Sequence, residues 1–362
     1  GKVKCWGDDV KGKLGDGTQA FKTTFQKINS IDSASQVSTN GYSVCALISA
    51  GVDSGKVKCW GRPNATPLST GNVVALPTAI IGIDNSTQFS MGVFHTCALI
   101  GSGIDAGKVK CWGFNGYGQL GDGTTAVRVN PVLVNNVLNS IQVSSGSTHS
   151  CALIGSGIDA GKVKCWGYNG EGQLGNGTNV SQYNAVFVSG LSEVSYIAAR
   201  GQHTCAVIGS GIDAGKVKCW GYNAQRQLGD GTTTSSNTPV EVAGLTQASQ
   251  VEISNYKSCA VIGSGVDVGK VKCWGYGYGV NLQTIDNLNL ITKVSVGSFH
   301  TCALIGSGVD SGKVKCWGNN QAGQLGIGTT DDVPVGVSFA LNQSGFQNIS
   351  VGDDYEYGIY LG

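Results

Sequence analysis

The residues of this sequence best placed to do chemistry are its thirteen cysteines, twelve of which form six pairs at one constant spacing. The pairs are Cys45 and Cys59, Cys97 and Cys111, Cys151 and Cys165, Cys205 and Cys219, Cys259 and Cys273, and Cys302 and Cys316. Within each pair, short alternating strands flank a glycine-rich loop such as 101–107, a pattern that predicts a β-hairpin. Symmetric folding places Cys97 opposite Cys111 and Ala98 opposite Lys110. Directly opposed cysteines can bond after slight adjustment, so we predict six cross-strand disulfides.

Two other uses of these cysteines fit the sequence less well. Twelve reduced, buried cysteines would act as small hydrophobic residues, but that use does not require one spacing repeated six times. Zinc binding is less favoured still, because the short Cys-x-x-Cys knuckles that build tetrahedral sites are absent. Disulfides at this density form in an oxidising compartment, so we expect an extracellular or cell-surface protein.

Cys5 is left over, because no partner strand precedes it in its own repeat. The C-terminal segment 349–361 looks like the missing strand, which would pair with the first strand and close a ring. Aligning Val351 with Val296 places Tyr357 at the cysteine position, so we expect Cys5 to be unpaired. Such a cysteine is either buried and inert or available for a link to another molecule, and burial is the favoured expectation.

Four histidines occupy one equivalent position, two residues before a cysteine. They are His95, His149, His203 and His300, and the position is filled elsewhere by Ser43, Lys257 and Tyr355. A catalytic histidine would be singular and paired with a nucleophile or a carboxylate. A repeated histidine instead favours hydrogen bonding between strands. The substituted repeats also interrupt any histidine ring that could bind a metal, and we expect no metal site and no other cofactor.

The charged residues repeat as regularly as the cysteines. Two lysines of each repeat, such as Lys108 and Lys110, are two apart on a strand and point to the same face. Six hairpin loops also carry an aspartate, such as Asp105. The pattern therefore predicts local neutralisation more than a basic ring that would attract an acidic partner.

Aromatic residues supply the candidate binding anchors. All seven tryptophans lie in the repeated string GKVKCWG, where packing between repeats is favoured over ligand stacking. The aromatic residues that follow this string are candidate anchors for a partner, namely Phe114, Tyr117, Tyr168, Tyr222, Tyr276 and Tyr278. Two irregular loops, 62–67 and 276–281, are further candidates because binding surfaces of repeat proteins often lie where repeats depart from their pattern.

The elements that must position these residues follow from the string itself, which occurs seven times without change. One repeat contains four predicted short strands, Gly107–Gly113, Pro131–Val137, Ser140–Ser144 and His149–Ile154. Alternating patterns without a helical period indicate an all-β protein. Seven four-stranded units around an axis make a seven-bladed β-propeller, and we expect residues 1–362 to form one domain.

Three motifs carry a family resemblance: H-[ST]-C-A-L, G-x-V-x-C-W-G and N-x-x-G-Q-L-G-D-G-T. Together they resemble the repeats of the regulator of chromosome condensation family. The resemblance implies a seven-bladed propeller whose N-terminal strand pairs with the last blade. Members of that family include a nuclear guanine-nucleotide exchange factor, β-lactamase-inhibiting proteins and secreted bacterial proteins. The paired cysteines resemble the secreted prokaryotic branch.

Composition excludes several functions. Charged residues make up 13% of the chain and the net charge is +1, so bulk attraction to nucleic acid or anionic membrane is not expected. There is no stretch long enough for a membrane span and no catalytic motif. We expect a non-enzymatic extracellular interaction or structural protein that binds proteins or self-assembles into a surface structure or filament. The alternatives are a secreted inhibitor or receptor-like binder of an enzyme, and a glycan-binding lectin.

Overall fold

The computed structural model describes residues 1–7, 9, 12–20, 22–28, 30–40, 42–61, 74–339, 344–352 and 357–361. In chain order its strands are β1 (Val3–Gly7), β2 (Lys22–Lys27), β3 (Ala34–Thr39), β4 (Ser43–Ile48), β5 (Val57–Gly61), β6 (Val74–Ala79), β7 (Ser86–Met91), β8 (His95–Ile100), β9 (Val109–Gly113), β10 (Arg128–Leu133), β11 (Ser140–Ser145), β12 (His149–Ile154), β13 (Val163–Gly167), β14 (Gln182–Phe187), β15 (Val194–Arg200), β16 (His203–Ile208), β17 (Val217–Gly221), β18 (Ser236–Glu241), β19 (Ala248–Ile253), β20 (Lys257–Ile262), β21 (Val271–Gly275), β22 (Gln283–Thr284), β23 (Ile291–Val296), β24 (His300–Ile305), β25 (Val314–Gly318), β26 (Val333–Phe339), β27 (Asn348–Val351) and β28 (Tyr357–Leu361).

These strands pair, within the described residues, into seven four-stranded antiparallel sheets. Six sheets each use four consecutive strands, from β3–β6 to β23–β26. The remaining sheet, the composite sheet, has the order β2-β1-β28-β27 and so combines both ends of the chain. The predicted all-β propeller of four-stranded antiparallel blades is confirmed. We use "blade" for each of the six consecutive-strand sheets.

The hairpin in each blade has the predicted register. In the blade β7–β10, Cys97 lies opposite Cys111 and Ala98 opposite Lys110. The structure joins all six predicted cysteine pairs by disulfides, with Cα atoms 4.0–4.1 Å apart. Each disulfide therefore links the two central strands of a blade.

The outer strand of that blade differs from the prediction. It is β10, Arg128–Leu133, rather than Pro131–Val137. A bulge between Arg128 and Val132 accommodates Pro131, which lacks an amide hydrogen and suits an edge strand. The strand cannot continue to Val137, because Asn136 has a left-handed φ of 61° and turns the chain.

The composite sheet corrects a second prediction. Ile359, not Tyr357, lies opposite Cys5, and Tyr357 lies opposite Gly7. The connection before β28 spans 352–356, two residues longer than the equivalent connection 297–299, so the predicted alignment is offset by two. The predicted histidine-equivalent residue Tyr355 lies outside the described residues. Cys5 itself is free and buried, and burial raises the pKa of its thiol well above the ordinary value.

The hydrophobic core lies between neighbouring sheets. In one cluster, Leu99 and Val109 pack with Val143 and Trp166 of the next blade. All seven tryptophans are at most 3% exposed, as packing between repeats predicts. The Trp166 indole also donates a hydrogen bond to the Gln119 carbonyl of the preceding blade at 2.9 Å. Trp166 thus contributes both apolar burial and a polar link between blades.

The innermost strands of the sheets surround a cavity of about 630 Å³. Glutamine side chains around it link consecutive blades: the Gln36 amide donates to the Phe89 carbonyl and accepts from the Phe89 amide, at 2.7 and 3.0 Å. Arg200 reaches further and donates to the carbonyls of Thr39 and Val351. These bonds tie distant blades and the composite sheet around the same axis.

In the described part of the chain, no helix has the length and apolar character needed to cross a membrane.

Candidate functional site

The two ends of the strands form two different faces. Hairpin loops such as 101–108, which join the second and third strands of each blade, form the hairpin face. Connections such as 92–94 and 114–127, which join the first strand to the second and the third to the fourth, lie at the opposite ends of the antiparallel strands. We call this second surface the aromatic face, because it carries the exposed aromatic residues described below.

A contiguous aromatic cluster, Phe94, Phe114, Tyr117 and Tyr168, lies on the aromatic face. The side chains of Phe94, Phe114 and Tyr117 are 41%, 38% and 44% exposed. Ring centroids are 6.2 Å apart for Phe94 and Phe114, 6.2 Å for Phe114 and Tyr117, and 5.1 Å for Tyr117 and Tyr168, all edge to face. Because Tyr168 belongs to the next blade, the cluster spans a blade boundary.

The turn that carries Phe114 and Tyr117 is held by Asn115. Its side-chain amide donates to Asp122 Oδ1 and to the Thr124 carbonyl, at 3.1 and 3.0 Å, while its Oδ1 accepts from the Leu120 amide. The Gln119 side chain accepts from the Tyr117 amide at 3.0 Å. The motif N-x-x-G-Q-L-G-D-G-T is therefore a hydrogen-bonded frame that presents the aromatic side chains to solvent.

Gly118 shows how closely this turn approaches the next blade. Its φ is +77°, and a β-carbon there would lie 2.4 Å from Tyr183 Cδ1 of the next blade. Any larger residue would strain the backbone and collide with that blade. The turn consequently sits tightly against its neighbour.

The remaining predicted anchors are distributed unequally. Tyr276 is 54% exposed and its ring lies 6.3 Å from that of Tyr256, which forms a second, smaller aromatic pair. Tyr222 is half-buried. Neither is in contact with the first cluster, so the structure brings together only three of the six predicted anchors.

The prediction that Tyr278 is an exposed binding anchor is wrong. It is 5% exposed and belongs to a hydrophobic core cluster with Leu325. In four other repeats a glutamine carbonyl accepts from the next tryptophan's indole. The shortened loop lacks this glutamine, and the Tyr278 hydroxyl accepts from Trp317 Nε1 at 3.4 Å instead. Burial raises the pKa of Tyr278. The other irregular loop, 62–67, lies outside the described residues.

Sequence reasoning missed Phe94 and Tyr256, because it followed only the residues after GKVKCWG. Both directly precede the histidine position, at His95 and Lys257. Tyr42 precedes Ser43 in the same way and is 36% exposed. An aromatic residue recurring at that second position was the available signal.

The histidines fix the blades beneath this face. His149 Nε2 lies 2.8 Å from the Thr204 hydroxyl of the next blade, and that hydroxyl donates to the Gln173 carbonyl at 3.1 Å. Because the hydroxyl donates its hydrogen to Gln173, the imidazole must donate through Nε2. Burial lowers the pKa of His149 to about 3, so the ring is neutral. The predicted hydrogen-bonding role between strands is confirmed as a link between blades.

The hairpin face shows the predicted local neutralisation. Lys108 and Lys110 lie 3.1 and 3.0 Å from the two oxygens of Asp105. Asp267 is similarly held by Lys270 and Lys272, whose hydrogen bonds lower the pKa of its carboxyl to about 2. Each such hairpin still carries one more lysine than aspartate.

No group of three or more histidine, cysteine, aspartate or glutamate side chains within the described ranges is arranged to hold a metal ion.

Comparison with known proteins places this geometry in a family. Residues 106–153, 160–207, 214–261 and 311–356 match the regulator of chromosome condensation (RCC1) repeat, and residues 291–324 match a second form of it. The chain is 29% identical over 286 residues to the ultraviolet-B receptor UVR8 of Arabidopsis thaliana, covering 76% of this chain and 60% of that receptor. It therefore spans about three fifths of that relative's length.

Two solved structures share the fold. Human WBSCR16 superimposes with a TM-score of 0.80 at 20% identity, over 99% of this chain and 98% of that one. Yeast RCC1 (Prp20), solved with Kap60 bound, also gives 0.80 at 18% identity, over 99% and 88% of the two chains. The repeats cover more than half of the sequence, and the chain belongs to the RCC1-repeat family.

Proposed function

We propose that the protein is a non-enzymatic extracellular propeller that binds other proteins through its aromatic face. The observation that carries this proposal is the aromatic cluster, in which rigid rings remain exposed while a buried hydrogen-bonded frame holds them in place. Aromatic side chains are the residues that most often dominate protein interfaces, and they lose little entropy on binding.

The comparisons support a binding role. RCC1-repeat propellers include yeast Prp20, whose structure was solved as a complex with Kap60. Fold alone does not transfer a partner, so the identity of the bound protein rests on the chemistry of this chain's own surface.

The six disulfides support the extracellular location and membership of a secreted prokaryotic branch of the family. Cytosolic thiols are kept reduced, whereas exported proteins retain disulfides of this density. In this proposal the composite sheet acts as the seventh blade, because it contacts both the first and the last of the six blades.

Self-association into a surface structure or filament belongs to the same proposal, since another copy is one form of protein partner. Inhibition of a secreted enzyme would use the same aromatic anchors. A glycan-binding lectin is less favoured, because all seven tryptophans are buried between sheets and offer no stacking platform.

Substitution of the cluster tests the proposal. Phe114→Ala with Tyr117→Ala should weaken partner binding at least about tenfold, as loss of interface anchors does. The control is Leu76→Ala, which removes a 59% exposed side chain from the outer strand β6. Immobilised native protein is exposed to secretions of its source, and retained proteins are quantified. Equal retention by the cluster variant and the native protein would contradict the proposed site.

A further inference from the structure

The tips of the hairpin face carry one aliphatic side chain per blade, almost fully in solvent. Val52, Ile104, Ile158, Ile212, Val266 and Val309 are 97%, 95%, 95%, 100%, 97% and 100% exposed. Scattered exposed apolar residues need no explanation, but these occupy one equivalent position at the same end of every blade. Six equivalent apolar side chains at one end of the molecule offer a partner a repeated set of apolar contacts.

The aromatic cluster lies on the opposite face of the same ring. The tips join the second and third strands, whereas Phe114 follows a third strand and Phe94 precedes a second strand. Since the strands are antiparallel, these two kinds of connection lie at opposite ends of a blade. The hairpin face therefore exposes the aliphatic tips, and the opposite face exposes the aromatic cluster.

The two faces also differ in charge. Each hairpin has two lysines around one aspartate, as Lys108 and Lys110 have Asp105. The connections between blades and the strand ends beside them add five exposed carboxylates to this face, those of Asp32, Asp84, Glu193, Glu241 and Asp286, and Glu241 accepts from Lys216 at 3.1 Å. With Lys2, Lys4 and Lys27 of the composite sheet, the described part of the hairpin face holds about fifteen lysines against eleven carboxylates, a net positive excess. Among the described residues of the opposite loops, carboxylates outnumber cations. With the strand ends beside these loops included, the carboxylates are Asp9, Asp16, Asp122, Glu171, Asp230, Asp331 and Asp332, and the cations are Lys13, Lys22, Arg128, Arg200, Arg226 and Lys257.

We propose that the hairpin face of one copy binds the aromatic face of a second copy, so that copies stack head to tail along the propeller axis. This inference rests on the proposed function and names the partner. One contact then covers both exposed apolar surfaces and brings a positive face against a negative one.

The alternative pairing of two identical faces is disfavoured, because two hairpin faces would oppose their lysine excesses. A head-to-tail contact uses different patches on the two copies, and when no rotation closes it the product is an open filament. Stacking along the propeller axis is such an unclosed arrangement.

Two complementary variants test the proposal with the full chain. The tip variant carries Ile104→Ser, Ile158→Ser and Ile212→Ser, and the cluster variant carries Phe114→Ser, Tyr117→Ser and Tyr168→Ser. A rim control carries Leu76→Ser, Val129→Ser and Leu133→Ser, which are 59%, 47% and 39% exposed on the outer strands β6 and β10. Far-ultraviolet circular dichroism and the free-thiol count confirm that each variant folds.

Sedimentation velocity over a concentration series measures assembly. The native protein and the rim control should polymerise, and each interface variant alone should sediment as a monomer, with affinity lowered at least about tenfold. A mixture of the two interface variants retains one intact face of each kind. It should therefore form heterodimers and nothing larger.

Three results would overturn the proposal: a native protein that stays monomeric, an interface variant that still polymerises, or a mixture without heterodimers. If the native protein is monomeric while the cluster variant loses a foreign partner, stacking fails and the proposed function stands. Sedimentation with phosphatidylglycerol vesicles that is lost only in the tip variant would instead assign the tips to a membrane and also contradict stacking.

Discussion

The six blades and the composite sheet have the same strand pattern but are held together differently. In each blade a disulfide joins the two central strands, and an aspartate in the hairpin binds the lysines, as in Cys97–Cys111 with Asp105. In the composite sheet Cys5 faces Ile359, and Lys4 lies over the Phe346 ring at 5.6 Å. The pairing of β1 with β28 thus rests on backbone hydrogen bonds and packing.

This difference shows where the ring depends on noncovalent contacts. A blade disulfide closes a loop of local sequence, whereas the contact between β1 and β28 brings together positions from both ends of the chain. Loop-closure entropy grows with the length enclosed, so the contact with the largest entropic cost is the one without a covalent link. We therefore expect the composite sheet to open before any blade does.

Reduction of the disulfides should have the largest effect. Each closed hairpin of about 15 residues contributes about 3 kcal/mol through loop-closure entropy, so six reduced blades should unfold at a much lower denaturant concentration. Guanidinium unfolding with and without a phosphine reductant measures the shift. Cys5→Ser, which leaves the disulfides intact, should show the same shift. A denaturant midpoint that does not change on reduction would show that the disulfides do not stabilise the blades.

Adding a seventh disulfide should have the next largest effect. Ile359→Cys places a thiol opposite Cys5 in the register that the blade disulfides use. The bridge would enclose nearly the whole chain, worth about 6 kcal/mol by loop-closure entropy, roughly twice a blade disulfide. Denaturant midpoints under oxidising conditions measure the gain, with Cys5→Ser plus Ile359→Cys as the control. Two persistently free thiols in the folded variant would argue against the register.

Acid should destabilise the blades through their histidines. Burial lowers the pKa of His95, His149 and His203 to about 3 in the folded protein. A depressed pKa means that the stability from the neutral ring is complete above pH about 6.5 and declines as pH falls toward 3. Each histidine should cost about 2–3 kcal/mol between pH 6.5 and 4.5. The composite sheet has Tyr357 at this position and adds no such dependence.

The variant His149→Gln isolates one histidine. It should reduce the slope of unfolding free energy against pH by up to about 1.4 kcal/mol per pH unit over this range, which is the contribution of one proton. Denaturant titrations at several pH values measure the slope, and Tyr42→Phe, at the aromatic position that precedes a histidine-equivalent serine, is the control. An unchanged slope would show that the ring is not held neutral.

The smallest effect is expected from the hairpin charges. Hydrogen bonds from Lys270 and Lys272 lower the pKa of Asp267 to about 2. The stabilisation is present above the ordinary pKa of about 4 and is lost as pH falls toward 2. Asp267→Asn should slightly reduce the dependence of the unfolding free energy on pH in this range. Added salt should have the same effect on the native protein, because the charged cluster is exposed. If the loss of stability at low pH does not depend on salt, packing and not charge holds the hairpin.

The hairpins could be predicted from the sequence because their information is local. One spacing determines that Cys97 faces Cys111, and the same strands repeat around the ring. Tyr278 could not be placed, because its burial depends on a shortened loop meeting Trp317 of the next blade. Ile359 was missed because the connection before β28 is two residues longer than its counterparts.

The candidate site was predicted only in part for a similar reason. Phe114, Tyr117 and Tyr168 follow the repeated string and were expected as anchors. Phe94 joins them from a different connection of the same blade, so its 6.2 Å contact with Phe114 is a property of the folded blade. Sequence periodicity identifies equivalent positions, but it does not show which positions meet across a face.

We conclude that six disulfide-bonded blades are closed by a composite sheet without a disulfide. A thiol count on the natively purified protein tests this conclusion directly. The protein is denatured without reductant, alkylated and weighed intact, and a second sample is reduced first. We predict one alkylated cysteine, Cys5, in the first sample and thirteen in the second. Thirteen alkylated cysteines without reduction would contradict both the six blade disulfides and the proposed extracellular location.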